Sequence, residues 1–190
     1  MTQINELNEC VSMLNSWASN GGQTKVFNDL VLAGLAAFKN GNRIFFAGNG
    51  GSASEASHLA AEFVGKCVID TGALPAISLS ESSTIITAIS NDWAFDTIFE
   101  RQLKALGNEG DIFIGLSTSG ESPSILRGLL QAKEMGLITS LWTSQRVPRK
   151  VIESVDFPII APTTSTPRAQ ELHLLLGHSM AENIENQLSK

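Results

Sequence analysis

His58 and Glu62 stand four residues apart in the stretch Ser52-Ala-Ser-Glu-Ala-Ser-His-Leu-Ala-Ala-Glu-Phe63. On a helix that spacing makes an imidazole and a carboxylate neighbours. Such a pair can trade a proton near neutral pH or grip a cation. Ala53, Ala56, Leu59, Ala60 and Phe63 form the apolar stripe of this helix. At about 100° per residue, His58 and Glu62 fall nearly opposite it and face outward. A solvated surface pair is the plain alternative. The other two histidines, His173 and His178, lie with Gln170 among Leu172, Leu174, Leu175 and Leu176. Those leucines point in nearly all directions, so the segment is expected to be buried on more than one side, as at a subunit interface. A polar group in that setting needs a partner, whether a metal, a substrate or another side chain. For His173 a structural hydrogen bond is expected. Gln170 and His178 are separated by a rise of roughly 12 Å, which permits a shared ligand without requiring one.

Two further segments have the composition of anion cradles. Ala47-Gly-Asn-Gly-Gly-Ser52 and Leu116-Ser-Thr-Ser-Gly-Glu-Ser122 each follow a short apolar run and precede a helical one. Glycines let backbone N–H groups approach a ligand, a helix N-terminus adds partial positive charge, and the serine and threonine hydroxyls donate without bringing a cation. Helix capping is the competing account: Ser52-Ala-Ser-Glu55 fits a capping box, and Ser122-Pro123 fits an N-cap followed by proline. Two such loops in one small sheet favour a ligand. Neither is a Walker loop, since no Gly-Lys-Ser/Thr follows, and Ala53 replaces the last glycine of G-x-G-x-x-G. A small phosphorylated metabolite therefore suits them better than a nucleotide.

The elements that must hold these residues alternate. Residues 43–47, 76–79, 111–116, 138–142 and 157–160 read as short apolar strands, with helices at about 83–90, 96–106, 123–135 and 147–155 and a last one from 167 to 188. The first forty residues read as two helices, with Ile4, Leu7, Val11 and Leu14 on one stripe, a break at Asn20-Gly21-Gly22, and Val26, Leu30, Val31, Leu35 and Phe38 on the next. Fully apolar strands between helices predict an α/β fold: a doubly wound, mainly parallel five-stranded sheet with an N-terminal helical hairpin. Ligands in such sheets bind beyond the carboxyl ends of the strands, where both glycine-rich loops begin. The expected organisation is one domain over 1–190, with helices in 1–40 and the α/β core in 41–190.

Composition narrows the function classes. The 190 residues are 43% apolar and 17% charged, which excludes a disordered chain, and no run is long enough to predict a membrane span. A net charge of −6 argues against an electrostatic nucleic-acid binder. Cys10 and Cys67 are too few and too far apart for a disulfide framework, and Met1-Thr2-Gln3-Ile4-Asn5-Glu6 shows no signal-peptide pattern. A cytoplasmic protein is expected.

Five motifs in order, AGNGGSASEASHLAAEF (47–63), AISND (88–92), LGNEGD (106–111), STSGES (117–122) and TPRAQELHLLLGH (166–178), resemble the sugar-isomerase (SIS) domain family of the phosphoheptose isomerase type, over nearly the whole chain. The resemblance implies a Rossmann-like SIS fold and an aldose–ketose isomerase acting on sedoheptulose 7-phosphate, in a cytoplasmic homotetramer that feeds activated heptose synthesis for lipopolysaccharide or capsule. It implies one zinc per subunit on His58, Glu62, Gln170 and His178. It implies substrate contacts from Asn49, Gly50, Gly51, Ser52, Glu62, Asn91, Asp92, Ser117, Thr118, Ser119, Ser122 and Gln170, with Glu62 and His178 as the acid–base pair. Two departures stand out. Lys66 replaces an arginine common in relatives, at a position the resemblance puts near the phosphate, and Ser144-Gln-Arg-Val-Pro-Arg-Lys150 replaces a glycine-rich loop. Relatives of this fold that only sense sugar phosphates or bind a replication initiator are the alternative; they tend to lack the equivalent carboxylate or last histidine, and both are present here.

Overall fold

Each apolar run becomes a parallel strand, and the polar, glycine-marked gaps become the turns between layers. The computed structural model describes residues 2–190, so Met1 lies outside the described residues. The order is α1 (Thr2–Ala18), α2 (Gly21–Lys39), β1 (Ile44–Gly48), α3 (Gly51–Val64), β2 (Ala76–Ser78), α4 (Ser83–Asp92), a 3-10 turn (Phe95–Thr97), α5 (Ile98–Leu106), β3 (Ile112–Leu116), α6 (Pro123–Glu134), β4 (Ile138–Ser144), α7 (Arg149–Ile152), β5 (Phe157–Ala161) and α8 (Thr166–Leu188). The strands run in the order β2-β1-β3-β4-β5, every pair parallel, with Phe46 opposite Ile114 and Leu116 opposite Trp142. The chain crosses from one half of the sheet to the other between β1 and β3, the switch point where such sheets hold ligands.

Strand alternation divides the core into two layers. Ile44, Phe46, Ile114 and Trp142 face the layer of α1, α2, α3 and α8, while Phe45, Ala47, Phe113 and Leu141 face α4, α5, α6 and α7. Phe45, Phe46, Phe113 and Trp142 are completely buried. At about 25 cal/mol per Å² of apolar surface, each such ring contributes several kcal/mol. The hairpin between α1 and α2 is set by Asn20, whose Oδ1 accepts from the N–H groups of Gly22 and Gln23, both at 3.1 Å.

Four local expectations change. The helix expected at 147–155 shrinks to one turn, because Pro148 sets its start and Asp156 is committed to Thr139 of β4, accepting from its N–H and its hydroxyl at 2.8 Å each. Strand β4 runs two residues further than its apolar run, through Thr143 and Ser144, because Ser144 still pairs with Ala161 of β5. On α1 the stripe Ile4, Leu7 and Val11 faces outward, and Met13 and Trp17 are the residues that turn into the core. Likewise α8 is not buried all round within one chain, since Leu175 is half-exposed while Leu172 and Leu176 are covered.

Candidate active site

The two glycine- and hydroxyl-rich loops leave the carboxyl ends of β1 and β3 side by side, and the chain ties them together. Asn49 Nδ2 donates to Ser124 Oγ at 2.9 Å, joining the first loop to the first turn of α6. In the second loop the Ser117 hydroxyl donates to Ser122 Oγ at 3.0 Å, and Ser119 Oγ accepts from the Glu121 N–H at 3.1 Å. Thr118 Oγ1 lies 3.4 Å from Thr166 Oγ1 in the first turn of α8. The N-termini of α3, α6 and α8 thus converge on one crevice, each bringing its partial positive charge.

The capping account fails for the first loop and changes for the second. Helix α3 starts at Gly51 after Gly50, with no side-chain cap; Ser52 lies within its first turn, and Glu55 points into the protein. Ser122 does occupy the N-cap of α6 with Pro123 behind it, yet its oxygen accepts the Ser117 hydroxyl rather than a helix N–H. The Gln170 amide rests close over Gly51, where a Cβ would push it aside, and donates from Nε2 to Ser52 Oγ at 3.3 Å. Gly51, Ser54, Glu55, His58, Gln170 and Leu174 line a cavity of about 340 Å³.

Farther along the same helix pair, His58 Nε2 and His178 Nε2 approach to 2.7 Å, and Glu62 Oε1 lies 3.4 Å from His58 Nε2. Gly177 makes this possible: any side chain there would collide with Leu59, so α8 presses onto α3 just where His178 must meet His58. One ligand atom from each of His58, Glu62 and His178 falls within 4.8 Å of the others. Two ring nitrogens facing each other can share only one proton, so a cation between them and the carboxylate satisfies all three donors. The donor set suits zinc. The Cys67 thiol borders the group, but burial, and then the nearby Glu62 carboxylate, push it up to about 11, so it stays a neutral thiol at pH 7.

The remaining expected residues fall as follows. Gln170 lines the cavity with His58 and spends its amide on Ser52. Asn91 and Asp92 end α4, exposed and bonded to one another at 2.8 Å. Lys66 follows the C-terminus of α3, the end remote from the crevice, so within one chain it does not approach the hydroxyl loop.

Sequence reasoning missed a second pair beneath the cavity. Glu55 Oε1 lies 3.7 Å from His173 Nδ1, with both side chains in the core. Burial raises the Glu55 carboxyl to about 7, against partial relief from Ser52 and Gln170, and lowers His173 to about 4, partly offset by its Nε2 contact with the Thr143 carbonyl at 3.2 Å. His173 is the structural histidine expected; Glu55 is the surprise. Its spacing to Leu59 and Phe63 placed it on the apolar stripe, and that was the signal.

A family model of the SIS domain matches residues 12–144. The chain is 43% identical to a phosphoheptose isomerase of Clostridium acetobutylicum over 81% of this chain and 78% of that one. It is 44% identical to a phosphoheptose isomerase of Aquifex aeolicus over 78% of each. The solved structure of a phosphoheptose isomerase from Neisseria gonorrhoeae superposes with a TM-score of 0.90 at 29% identity, covering 97% of both chains.

Proposed function

The chain belongs to the SIS-domain family as one of its phosphoheptose isomerases, and from that premise we propose its substrate and the division of labour among its residues. It is an aldose–ketose isomerase. The substrate is sedoheptulose 7-phosphate and the product D-glycero-D-manno-heptose 7-phosphate, for activated heptose biosynthesis. The observation that carries this is the convergence on α3 and α8 of an anion crevice and a His–Glu–His group. Ser52 and His58 are about 9 Å apart along α3, a separation that lets one extended sugar phosphate touch both regions.

The crevice holds the phosphate through Asn49, Gly50, Gly51 and Ser52 on one side and Ser117, Thr118, Ser119 and Ser122 on the other. Asn91, Asp92 and Gln170 orient the polyol. Isomerisation moves one proton between adjacent carbons through an enediol while another moves between the two oxygens. Glu62 carries the carbon proton on a carboxylate oxygen, and His178 serves the oxygens through its imidazole, which can both accept and donate a proton. Zinc held by His58, Glu62, Gln170 and His178 would polarise the carbonyl and stabilise developing negative charge. Glu62 either shares these duties or shifts ligation in turnover, because a fully committed carboxylate is a weaker base.

The same reading takes residues 1–190 as one SIS domain, supported by a single sheet flanked by all the helices, and the protein as a cytoplasmic homotetramer. Exposed Ile4, Leu7, Val11 and Leu175 support self-association. Among the described residues no helix is long and apolar enough to cross a membrane. The clustering of Glu62 with both histidines weighs against a non-catalytic sensor or initiator-binding protein. Incubation with sedoheptulose 7-phosphate, followed by NMR, should show the aldose product, with turnover lost under a chelator and restored by zinc. Tight sugar-phosphate binding without turnover would instead indicate a sensor.

A further inference from the structure

The end of β4 and the residues after it, 144–147, are tied to the hydroxyl loop. Ser144 Oγ donates to the Thr118 carbonyl and accepts the Arg146 N–H at 3.3 Å. The Gln145 N–H reaches the Thr163 carbonyl at 3.1 Å. Val147 is buried, packed so closely under Gly120 that a Cβ there would strike it. Arg146 is exposed but follows the tied Ser144–Gln145 pair and precedes the buried Val147, which fixes its backbone, and its Nη2 donates to Thr166 Oγ1 at 2.8 Å. Thr166 in turn lies 3.4 Å from Thr118, so Arg146 Nη2 stands within about 6 Å of the Thr118 hydroxyl.

Its electrostatic situation is unusual for this chain. Arg43, Arg127, Arg149 and Arg168 each face a carboxylate, and Arg101 lies over the Trp93 ring. Among the described residues Arg146 meets only a threonine hydroxyl, leaving most of its five donors uncommitted. Within residues 117–122 the side chains supply hydroxyls and one carboxylate, Glu121, and no formal positive charge; the helix N-termini at the crevice add only partial charge. A phosphate dianion seated there meets hydroxyls and helix N-termini, but no formal cation of the loop, beside the like charge of Glu121. An arginine supplies the strongest compensation, since its fork binds phosphate oxygens in pairs.

We propose that Arg146 is a substrate-binding residue, supplying the counter-charge to the sugar-phosphate's phosphate on the Ser117–Ser122 hydroxyls. The proposal rests on the sugar-phosphate isomerase reading above. It adds a full cationic charge to a crevice whose loop side chains carry none.

The test uses the full-length protein, wild type beside Arg146→Ala, Arg146→Lys and Arg149→Ala, with two readouts. One is steady-state kinetics on sedoheptulose 7-phosphate; the other is the dissociation constant of inorganic phosphate from a phosphorus NMR titration. Loss of one charged hydrogen-bonding partner is expected to raise both KM and the phosphate constant by about tenfold or more in Arg146→Ala, with kcat within about twofold. Arg146→Lys recovers only part of this, and Arg149→Ala, whose cation is already paired, behaves as wild type. Unchanged constants in Arg146→Ala overturn the proposal, as does an equal loss in Arg149→Ala, which would reduce the effect to general surface charge. If the wild type fails to isomerise the heptose, the isomerase reading has failed. The phosphate titration then decides on Arg146 alone: weaker binding in Arg146→Ala sustains it, and equal binding overturns it.

Discussion

Helices α3 and α8 share two Glu–His associations, one turned inward and the other outward. Glu55 and His173 are 5% and 0% exposed, whereas the outer His58 is 47% exposed and Glu62 20%. The residue types are the same and the separations similar, 3.7 Å inside and 3.4 Å outside. Inside, burial disfavours both charged forms, so the carboxyl is raised, the imidazole is lowered, and the pair is neutral over much of the acid range. Outside, water and a neighbouring imidazole leave room for a substrate and a cation. Environment, not residue identity, decides which pair supports the fold and which is open to the chemistry proposed for it.

The largest expected effect falls on the outer group. Removing an acid–base residue of this kind typically costs about 10²–10⁴-fold in rate. His178→Ala should lose kcat on that scale while its melting temperature stays close to wild type, because the ring lies at the margin of the core. A comparable loss of activity together with collapse of the fold would erase the distinction between the two pairs.

A smaller effect, readable only as a pH profile, is expected inside. The Glu55 carboxyl is raised from 4.5 to about 7, so its contribution to stability falls as pH rises through that window. The His173 imidazole is lowered from 6.5 to about 4, so its contribution falls as pH drops through the overlapping window. Near pH 5.5 the folded pair holds one proton, on Glu55, and the unfolded pair also holds one, on the histidine; the two slopes cancel. Glu55→Gln keeps the shape and removes one side of that balance. Relative to wild type, its unfolding free energy should then decline by about 3 kcal/mol from pH 7 to pH 4. Denaturant titrations across that range check it, and parallel curves would mean the pair is not coupled as described.

The contrast also explains what could be read in the sequence and what could not. Strands and helices were legible because β1 and β3 are wholly apolar and α6 and α8 carry proline in their first turn, so period and punctuation agree. The polar end of β4, Thr143 and Ser144, was not, since its pairing with β5 depends on a neighbour and not on its own composition. His58 and Glu62 were legible as an outward pair because four residues on a helix fix their relation. Their meeting with His178 needs Gly177 to let α8 close on Leu59, a contact 118 residues away in sequence. Glu55 looked like a capping residue because its local motif fits one; its spacing to Leu59 and Phe63 hinted at burial, but only the packing of α8 shows that it faces His173.

Isomerisation in deuterated water, followed by proton NMR of the heptose, tests the assignment of proton transfer to the outer pair most directly. Wild type should incorporate solvent deuterium at the carbon that exchanges its proton, and Glu62→Gln, with an unchanged fold, should show neither incorporation nor appreciable product. Full turnover with normal deuterium uptake in Glu62→Gln would contradict it.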